Sequence, residues 1–347
     1  MGRYVERLTR ALGVLEGRLD LTVARPRWPP VHESWPVRWL HAQPSILANA
    51  LRVRPHIVHA PGGDPVAGWP AARQVVTLHD VVPWTAPEYS GRRLLGAWLS
   101  LEALRLRRCG AVIADSPTVA EEAVSILGVC RSRVHVVALG VDPVFSASVR
   151  PGDPADRAGA GVAVDGRYVL WAGSLVSHDP RKALDVLLEA MAALMRRRPE
   201  LTLVLTGAPG LEGERVAAVG DGLGVRTLRT GFVPDATLAA LYRGAAAVAI
   251  PSLHEGFGLP ALEAMACGAP VVTSRAGNLE ALVDDAGLLV PAGDAAPLAR
   301  ALEAVLSDPE LAARLRARGP QRAAGFTWAH AAERTLDVYC AVRAARG

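Results

Sequence analysis

The chain has 347 residues, half of them hydrophobic and about a fifth charged, with a net charge of +4. That length exceeds one ordinary core and fits two domains of common size, and the charge is too mild to call for nucleic acid as a partner. No stretch approaches ~18 uninterrupted apolar residues, so no transmembrane helix is expected, and Met1-Gly2-Arg3-Tyr4-Val5-Glu6 lacks the apolar core of a signal peptide. Cys109, Cys130, Cys267 and Cys340 show no paired zinc or redox spacing and read as reduced thiols of a cytoplasmic protein.

Helical periodicity first appears at Arg3–Leu12, and a short strand is expected at Leu19–Ala24. Trp28 and Trp35 flank the Pro-rich stretch Pro29–Ser34, whose prolines argue against packed sheet. Strands rich in Val and Ile follow at His56–Ala60, Gln74–His79, Ala111–Asp115 and Val134–Leu139, with helices at Arg92–Arg107 and Pro117–Leu127. This is the pattern of a parallel sheet wound with helices. Ligands of such sheets gather at the carboxyl ends of strands. That rule singles out His79, closing Gln74–Leu78, and His59, in Ile57-Val58-His59-Ala60-Pro61-Gly62-Gly63. Arg92–Arg108 is basic and partly amphipathic, which suits packing on the sheet or peripheral contact with an anionic membrane face.

Val149–Gly166, dominated by Gly, Pro, Ala and Asp, reads as a linker between domains at 1–150 and 151–347. The second half repeats the pattern. Strands are expected at Tyr168–Ala172, Leu201–Thr206, Arg226–Arg229, Ala245–Ile250, Val271–Thr273 and Leu288–Val290, and helices at Pro180–Arg197, Pro234–Tyr242, Leu259–Cys267, Ala295–Leu306 and Ala329–Arg346. Asp179 suits a helix N-cap and Pro180 the first helical position. Arg181 and Lys182 would then face the positive end of the helix dipole. That conflict costs ~0.3–1 kcal/mol per charge, and a bound anion would reverse it.

The most informative stretch is Ser252-Leu253-His254-Glu255-Gly256-Phe257-Gly258-Leu259-Pro260-Ala261-Leu262-Glu263-Ala264-Met265-Ala266-Cys267-Gly268. Glu255 lies on a turn and Glu263 on the helix that Pro260 opens. Between them the backbone N–H groups of Gly256 to Leu259 are placed to meet an anion. An anion in the middle with hydroxyl acceptors at both ends describes a nucleotide-sugar: ribose, diphosphate, hexose. No Asp-x-Asp cation site is present, and Asp284-Asp285 lacks the intervening residue. The helix terminus with Arg181 and Lys182 could balance a diphosphate without a metal.

The run from Pro251 through Pro270 resembles the donor-site signature of the retaining glycosyltransferases of family 4 (glycosyl transferases group 1). The resemblance covers nearly the whole chain and is most specific from Tyr168 to Asp294. It implies the GT-B fold, two Rossmann-like α/β domains with parallel sheets facing across a cleft, the first domain on the acceptor side and the second binding the nucleotide-sugar. The implied activity is retaining, metal-independent transfer of a hexose from a nucleotide-diphospho-sugar, without a cofactor, to a glycan, lipid-linked or small-molecule acceptor. The Pro-Arg-Lys and His-Asp variants lean toward mannosyl transfer. In the family the first Glu contacts the transferred sugar and the second the ribose, here Glu255 and Glu263. Lys182 matches the Lys that neutralises the phosphates. Family members place an Arg after Gly173 where this chain has Ser174, so Arg181 is expected in its stead.

The same resemblance assigns Gly2, Gly173, Gly256, Phe257, Gly258 and Leu259 to the donor. It packs the turn Gly231–Leu238 on the nucleobase through Phe232 or Val233, although that turn serves equally well as a hydrophobic staple for the next helix. It places His79 near the sugar, where a neutral imidazole could donate to a hydroxyl or steady developing charge. Indole faces stack on sugars, which makes Trp28 and Trp35 acceptor-side candidates, and His59 joins them by its place at a strand end. No motif carboxylate is an obvious nucleophile, and same-face substitution is expected. A sugar-phosphate synthase of the same fold, for which Arg92-Arg93 is the one hint, and a non-catalytic binding subunit are the alternatives. Family members begin with a strand and a Gly-rich turn before a helix resembling Gly2-Arg3-Tyr4-Val5. The first strand of the N-terminal domain is therefore expected to be missing, through a misplaced start codon. Unpaired edges in mid-sheet would cost roughly 1–3 kcal/mol per backbone group. The terminal helix, about 329–346, is expected to cross back to the first domain.

Overall fold

Every strand pairs parallel with its neighbour among the residues that the computed structural model describes, 2–15, 17–24, 35–86, 96–162 and 166–345. The chain divides into one unit of Met1–Gly140 with Thr327–Gly347 and a second of Val141–Phe326. Trp28, Pro29–Ser34, Arg92 and Arg93 lie outside the described residues, as does the side chain of Trp35.

In the first unit, Tyr4, Leu8 and Leu12 recur at helical spacing and are buried on one face of α1 (Gly2–Gly13), which packs on the C-terminal helix Trp328–Ala344. Next comes α2 (Trp35–Val53), a helix not anticipated because Pro44 stands inside it. Beside that proline Gln43 is buried, and its Oε1 accepts from the Ala67 N–H at 2.8 Å, which ties α2 to a segment 24 residues further on. The sheet and its helices follow as β1 (Val58–Ala60), β2 (Gln74–Leu78), α3 (Val82–Thr85), α4 (Gly96–Leu106), β3 (Ala111–Ala114), α5 (Pro117–Ser125) and β4 (Val134–Val136), with strand order β1-β2-β3-β4. Ser116 caps α5 by accepting from the Val119 N–H at 3.2 Å. Val76, Leu78, Val112, Ala114, Leu106 and Leu127 build the core.

The expected strand at Leu19–Ala24 does not form. Residues 21–24 are exposed, and no described strand lies beyond β1 to take up a further ladder. An extended segment without a neighbour leaves its backbone groups to water.

The second unit begins with a correction. The stretch read as a linker carries α6 (Asp153–Gly159), docked on the helix Asp235–Gly244 by a buried ion pair. Both oxygens of Asp153 accept from Arg243 at 2.6 Å, and Arg243 also donates to the Ser146 carbonyl at 3.0 Å. Removing one partner of such a pair costs about 3–5 kcal/mol. The remaining elements are β5 (Tyr168–Ala172), α7 (Leu184–Met195), β6 (Thr202–Thr206), α8 (Leu211–Gly222), β7 (Thr227–Gly231), α9 (Asp235–Gly244), β8 (Ala247–Ile250), α10 (Leu259–Ala266), β9 (Val271–Ser274), α11 (Leu279–Val283), β10 (Gly287–Val290), α12 (Ala295–Ser307) and α13 (Pro309–Ala323).

Its strand order is β10-β9-β8-β5-β6-β7. The chain therefore leaves β5 in one direction through β6 and β7, then restarts on the other side at β8. Such a reversal opens a crevice at the carboxyl ends of the two central strands, here β5 and β8. The residues just beyond them are Gly173-Ser174 and Pro251–Glu255. Leu187, Leu188 and Met191 of α7 and Leu298 and Leu302 of α12 cover the sheet through Val169, Trp171, Leu203 and Ala249. Burial on both faces explains the unbroken apolar runs of these strands.

Candidate functional site

The site in the second unit is built on the loops beyond β5 and β8. The expected helix Pro180–Arg197 is two pieces. A single 3-10 turn, Pro180–Lys182, ends at Ala183 in the left-handed region (φ 48), and α7 starts only at Leu184. Arg181 and Lys182 thus stand outside the first turn of α7, whose acidic residue Asp185 suits its dipole. Asp179 caps the short turn and accepts from Arg181 Nε and Nη2 at 2.9 and 2.8 Å. The expectation of two unmatched cations is corrected: Arg181 is charge-matched by Asp179. Lys182 Nζ donates to Glu255 Oε2 at 2.7 Å, and Ser252 Oγ donates to the same oxygen at 3.3 Å. Both charged side chains remain partly exposed, Lys182 by 26% and Glu255 by 16%, so solvent or a ligand can reach the pair.

The Glu255 loop is held from several directions. Its base meets the Lys182 turn where the Leu253 N–H donates to the Arg181 carbonyl at 2.6 Å. Asn278 donates its backbone N–H to the Glu255 carbonyl at 3.0 Å and its side-chain amide to the Phe257 carbonyl at 2.9 Å. Gly277 (φ 54) makes that approach possible, since a Cβ there would lie 2.2 Å from the Glu255 carbonyl oxygen. Gly258 (φ 98) caps α10, and a Cβ on it would press on Leu279 and Leu282 at 2.9 Å. Gly256 and Leu259 flank this short turn, and the buried Phe257 ring sits edge-on to Phe326. Glu263 lies one helical turn into α10, nearly buried, with the Tyr242 hydroxyl donating to its Oε2 at 3.3 Å.

Other expected donor residues separate by exposure. Gly173 follows β5 and donates its N–H to the Thr206 carbonyl at 3.0 Å. Beyond β7, Phe232 projects into solvent with 71% of its surface exposed, while Val233 turns inward at 9%. A cavity of about 260 Å³ flanks the Lys182 turn, lined by His178, Asp179, Asp185, Glu212, Arg215 and Leu253. There Glu212, nearly buried, accepts from Arg215 at 2.8 and 2.9 Å and bonds His178 Nδ1 at 2.9 Å. Burial raises the Glu212 carboxyl, but Arg215 and His178 outweigh it and hold the group below its ordinary value. This network steadies the segment that leads into Asp179. Among the described residues no group of three or more His, Cys, Asp or Glu side chains is disposed to hold a metal ion. No described helix is long and apolar enough to cross a membrane.

Gly2 starts α1 of the first unit, where His59 lies within β1 and His79 follows β2. His59 bonds Tyr339 Oη through Nδ1 at 2.6 Å and Thr77 Oγ1 through Nε2 at 2.8 Å, and Thr77 bonds Tyr4 Oη at 2.9 Å. Burial, then the nearby His79, lowers the His59 pKa to about 4, so the ring is neutral. His79, expected near the sugar, keeps 28% of its side chain exposed. Its Nδ1 bonds Asp115 Oδ2 at 2.5 Å and its Nε2 the Pro61 carbonyl at 3.0 Å, so both ring nitrogens are already engaged within the protein. Sequence reasoning missed Asp115 and Ser252, although the rule of strand carboxyl ends that chose His79 selects both. Asn278 carried a weaker signal, the Gly-Asn pair of a tight turn.

Two family models match the chain, "Glycosyltransferase Family 4" over residues 1–145 and "Glycosyl transferases group 1" over residues 166–308. A D-inositol 3-phosphate glycosyltransferase of Frankia alni is 43% identical over 221 residues, which are 60% of this chain and 53% of that protein. Another, of Jonesia denitrificans, is 36% identical over 310 residues, 80% of this chain and 70% of that protein. The chain thus spans between about half and 70% of these curated relatives. Among solved structures, sucrose-phosphate synthase from Thermosynechococcus elongatus matches with a TM-score of 0.78 at 25% identity, covering 99% of this chain and 93% of that one.

Proposed function

The chain belongs to glycosyltransferase family 4 (glycosyl transferases group 1), and from that premise we propose that it moves a hexose from a nucleotide-diphospho-sugar to a small-molecule acceptor, with retention of configuration and without a metal. One observation carries the reading. At the crevice between β5 and β8, Lys182 and Glu255 bond each other at 2.7 Å just before the N-terminus of α10. A diphosphate drawn to that helix terminus by its dipole offers Lys182 a second anionic partner. Glu255 is then free to accept from hydroxyls of the transferred sugar. Glu263 is proposed to hold the ribose and Phe232 the base.

The donor's C–O bond breaks as negative charge collects on the departing diphosphate. Lys182 and the α10 terminus stabilise that charge more than they stabilise the ground state, which is what lowers the barrier. The acceptor oxygen forms the new bond on the same face, and its proton leaves with the diphosphate. A carboxylate held by Lys182 and Ser252 suits hydroxyl recognition better than nucleophilic attack, which supports retention without a covalent intermediate.

The names of the relatives support a phosphorylated polyol as acceptor, read by the first unit at the carboxyl ends of β1 to β3. The mannosyl preference rests on Pro180–Lys182 and His79-Asp80 alone. Peripheral contact with an anionic membrane is supported by α4 and the residues after it, where Leu101, Leu104, Arg107 and Arg108 are exposed. The test is a panel of nucleotide-sugars, read first by thermal stabilisation and then by transfer to inositol phosphates. One nucleoside-diphospho-hexose should stabilise the protein and support transfer that EDTA leaves unchanged. A protein indifferent to every donor would overturn the reading, and activity abolished by EDTA and restored by manganese would overturn its metal-free part.

A further inference from the structure

Three neighbouring strands of the first unit converge on one side-chain bridge. Pro61 follows β1, His79 follows β2 and Asp115 follows β3. His79 spans the gap, 2.5 Å from Asp115 Oδ2 on one side and 3.0 Å from the Pro61 carbonyl on the other. A carbonyl only accepts, so Nε2 carries a hydrogen and donates it. The second hydrogen lies between Nδ1 and Asp115, and Nε2 remains a donor whichever heavy atom holds it.

Asp115 is placed at a cost. Its side chain is 1% exposed, and Oδ1 is buried with no hydrogen-bond partner among the described residues. A half-satisfied buried carboxylate is among the least favourable groups in a protein interior. Conflicts of that kind mark working sites more often than scaffolding. Around the bridge stand Tyr4 of α1, edge-on to His79 at 4.8 Å, the neutral His59 of β1, Asp80, and Tyr339 of the C-terminal helix. Burial pulls His79 down, but the charge and hydrogen bond of Asp115 and the Pro61 carbonyl outweigh it, and the ring is held above its ordinary value.

We infer that Asp115 is a positioning residue: acting through His79, it fixes the Pro61-Gly62-Gly63 turn at the carboxyl end of the first sheet, where the acceptor is read. The inference rests on the function proposed above. Asp115 need not touch substrate. Gly63 follows in the left-handed region (φ 86), so a turn with little stiffness of its own is pinned from one side by the His79 bond. Loss of the Asp115 charge lowers the ring's hold on its second proton and weakens that pin.

Asp115→Asn in the full chain tests this with two readouts. In protein labelled with 15N-histidine, the pH at which the His79 ring nitrogens change from protonated-type to neutral-type shifts should be lower in the variant than in the wild type. In kinetics, kcat/KM for the acceptor should fall at least tenfold, mainly through KM, while calorimetry with nucleoside diphosphate is unchanged. Adding His79→Gln to Asp115→Asn supplies a neutral amide donor for Pro61 and should recover part of the acceptor affinity, which a purely structural loss would not allow. If Asp115→Asn fails to fold, His79→Gln alone carries the test, since a retained Pro61 bond should then preserve acceptor KM better than His79→Ala does. Wild-type acceptor kinetics in Asp115→Asn, or unchanged nitrogen shifts, would overturn the inference. A wild-type protein that transfers nothing overturns the functional reading instead, and the nitrogen shifts still decide whether Asp115 sets the ring.

Discussion

The two units place charge at the carboxyl ends of their sheets in opposite ways. In the second, Lys182 and Glu255 meet through a single bond, both partly exposed, on loops braced from behind by Asn278 and Gly277. In the first, His59 and His79 have all four ring nitrogens engaged by Tyr339, Thr77, Asp115 and Pro61. A pair joined by one bond can exchange partners when a charged ligand arrives. A closed network resists exchange and holds shape. The comparison teaches which residues to test for ligand contact and which for geometry, since the presence of a His or Lys at a strand end does not distinguish the two roles.

The largest effect expected from this contrast is on stability, and only in the first unit. His59 has a folded pKa near 4, below its unfolded value of about 6.5, because burial disfavours its charged form. Its contribution is present above pH 6.5 and is lost as the pH falls through 4, by on the order of 3 kcal/mol. His79, raised above its ordinary value by Asp115 and Pro61 against the pull of burial, works in the opposite sense. Its contribution is complete below the unfolded value and is lost as the pH rises through the folded one. Hydrogen exchange at β1 and β2 should therefore show greatest protection near pH 6.5. In His59→Gln the loss of protection between pH 6.5 and 4 should shrink while the alkaline side is unchanged. Equal acid sensitivity in both proteins would show that the His59 network is not closed as described.

Next in size are the effects of opening the exposed pair. Lys182→Ala should lower turnover ten- to a hundredfold, because a charge-assisted bond to a phosphate is worth about 1.5–3 kcal/mol. Glu255→Gln should separate two quantities that move together in Lys182→Ala. Turnover falls with loss of the sugar contact, yet nucleoside diphosphate binds a few-fold more tightly, because Lys182 no longer has a carboxylate to leave. Calorimetry on both variants decides this. Weaker nucleotide binding in Glu255→Gln would mean that the carboxylate, not the lysine, organises the phosphate end.

The same contrast explains what could be read from the sequence. Alternating Val- and Ile-rich strands revealed both sheets, the carboxyl-end rule located His59 and His79, and the paired glutamates around Gly256-Phe257-Gly258 marked the Glu255 loop. The partners were not legible. Glu255 lies 73 residues from Lys182, His79 lies 36 from Asp115, and Arg243 lies 90 from Asp153. A sequence pattern reports periodicity along one segment, whereas these bonds depend on which strands become neighbours. Helix α6 was hidden for that reason, since its short Ala- and Asp-containing sequence is docked by a bond to the distant Arg243. Helix α2 was hidden by a local rule, because Pro44 reads as a stop when no tertiary contact is in view. Leu19–Ala24 failed in the reverse direction: its strand propensity is real, but no described strand is there to pair with it.

The smallest effect expected is at the turn beyond β7, where two adjacent apolar side chains divide the two kinds of role between them. Phe232 is 71% exposed and Val233 9%. An exposed aromatic ring adds little to the folded state and can stack on a nucleobase, a contact worth roughly 1 kcal/mol at the low end of its range. A buried valine does the reverse, and truncating it removes packing beneath the turn. Phe232→Ala should leave the melting temperature within a degree or so of wild type and weaken nucleoside diphosphate about fivefold. Val233→Ala should lower the melting temperature and, where the protein is still folded, bind nucleotide nearly as well. Calorimetry and thermal unfolding on the pair measure both quantities. If Val233→Ala lost nucleotide affinity at unchanged stability while Phe232→Ala kept it, the base would lie against the inner side of the turn, and the contrast between exposed ligand contacts and closed scaffold would fail within this unit.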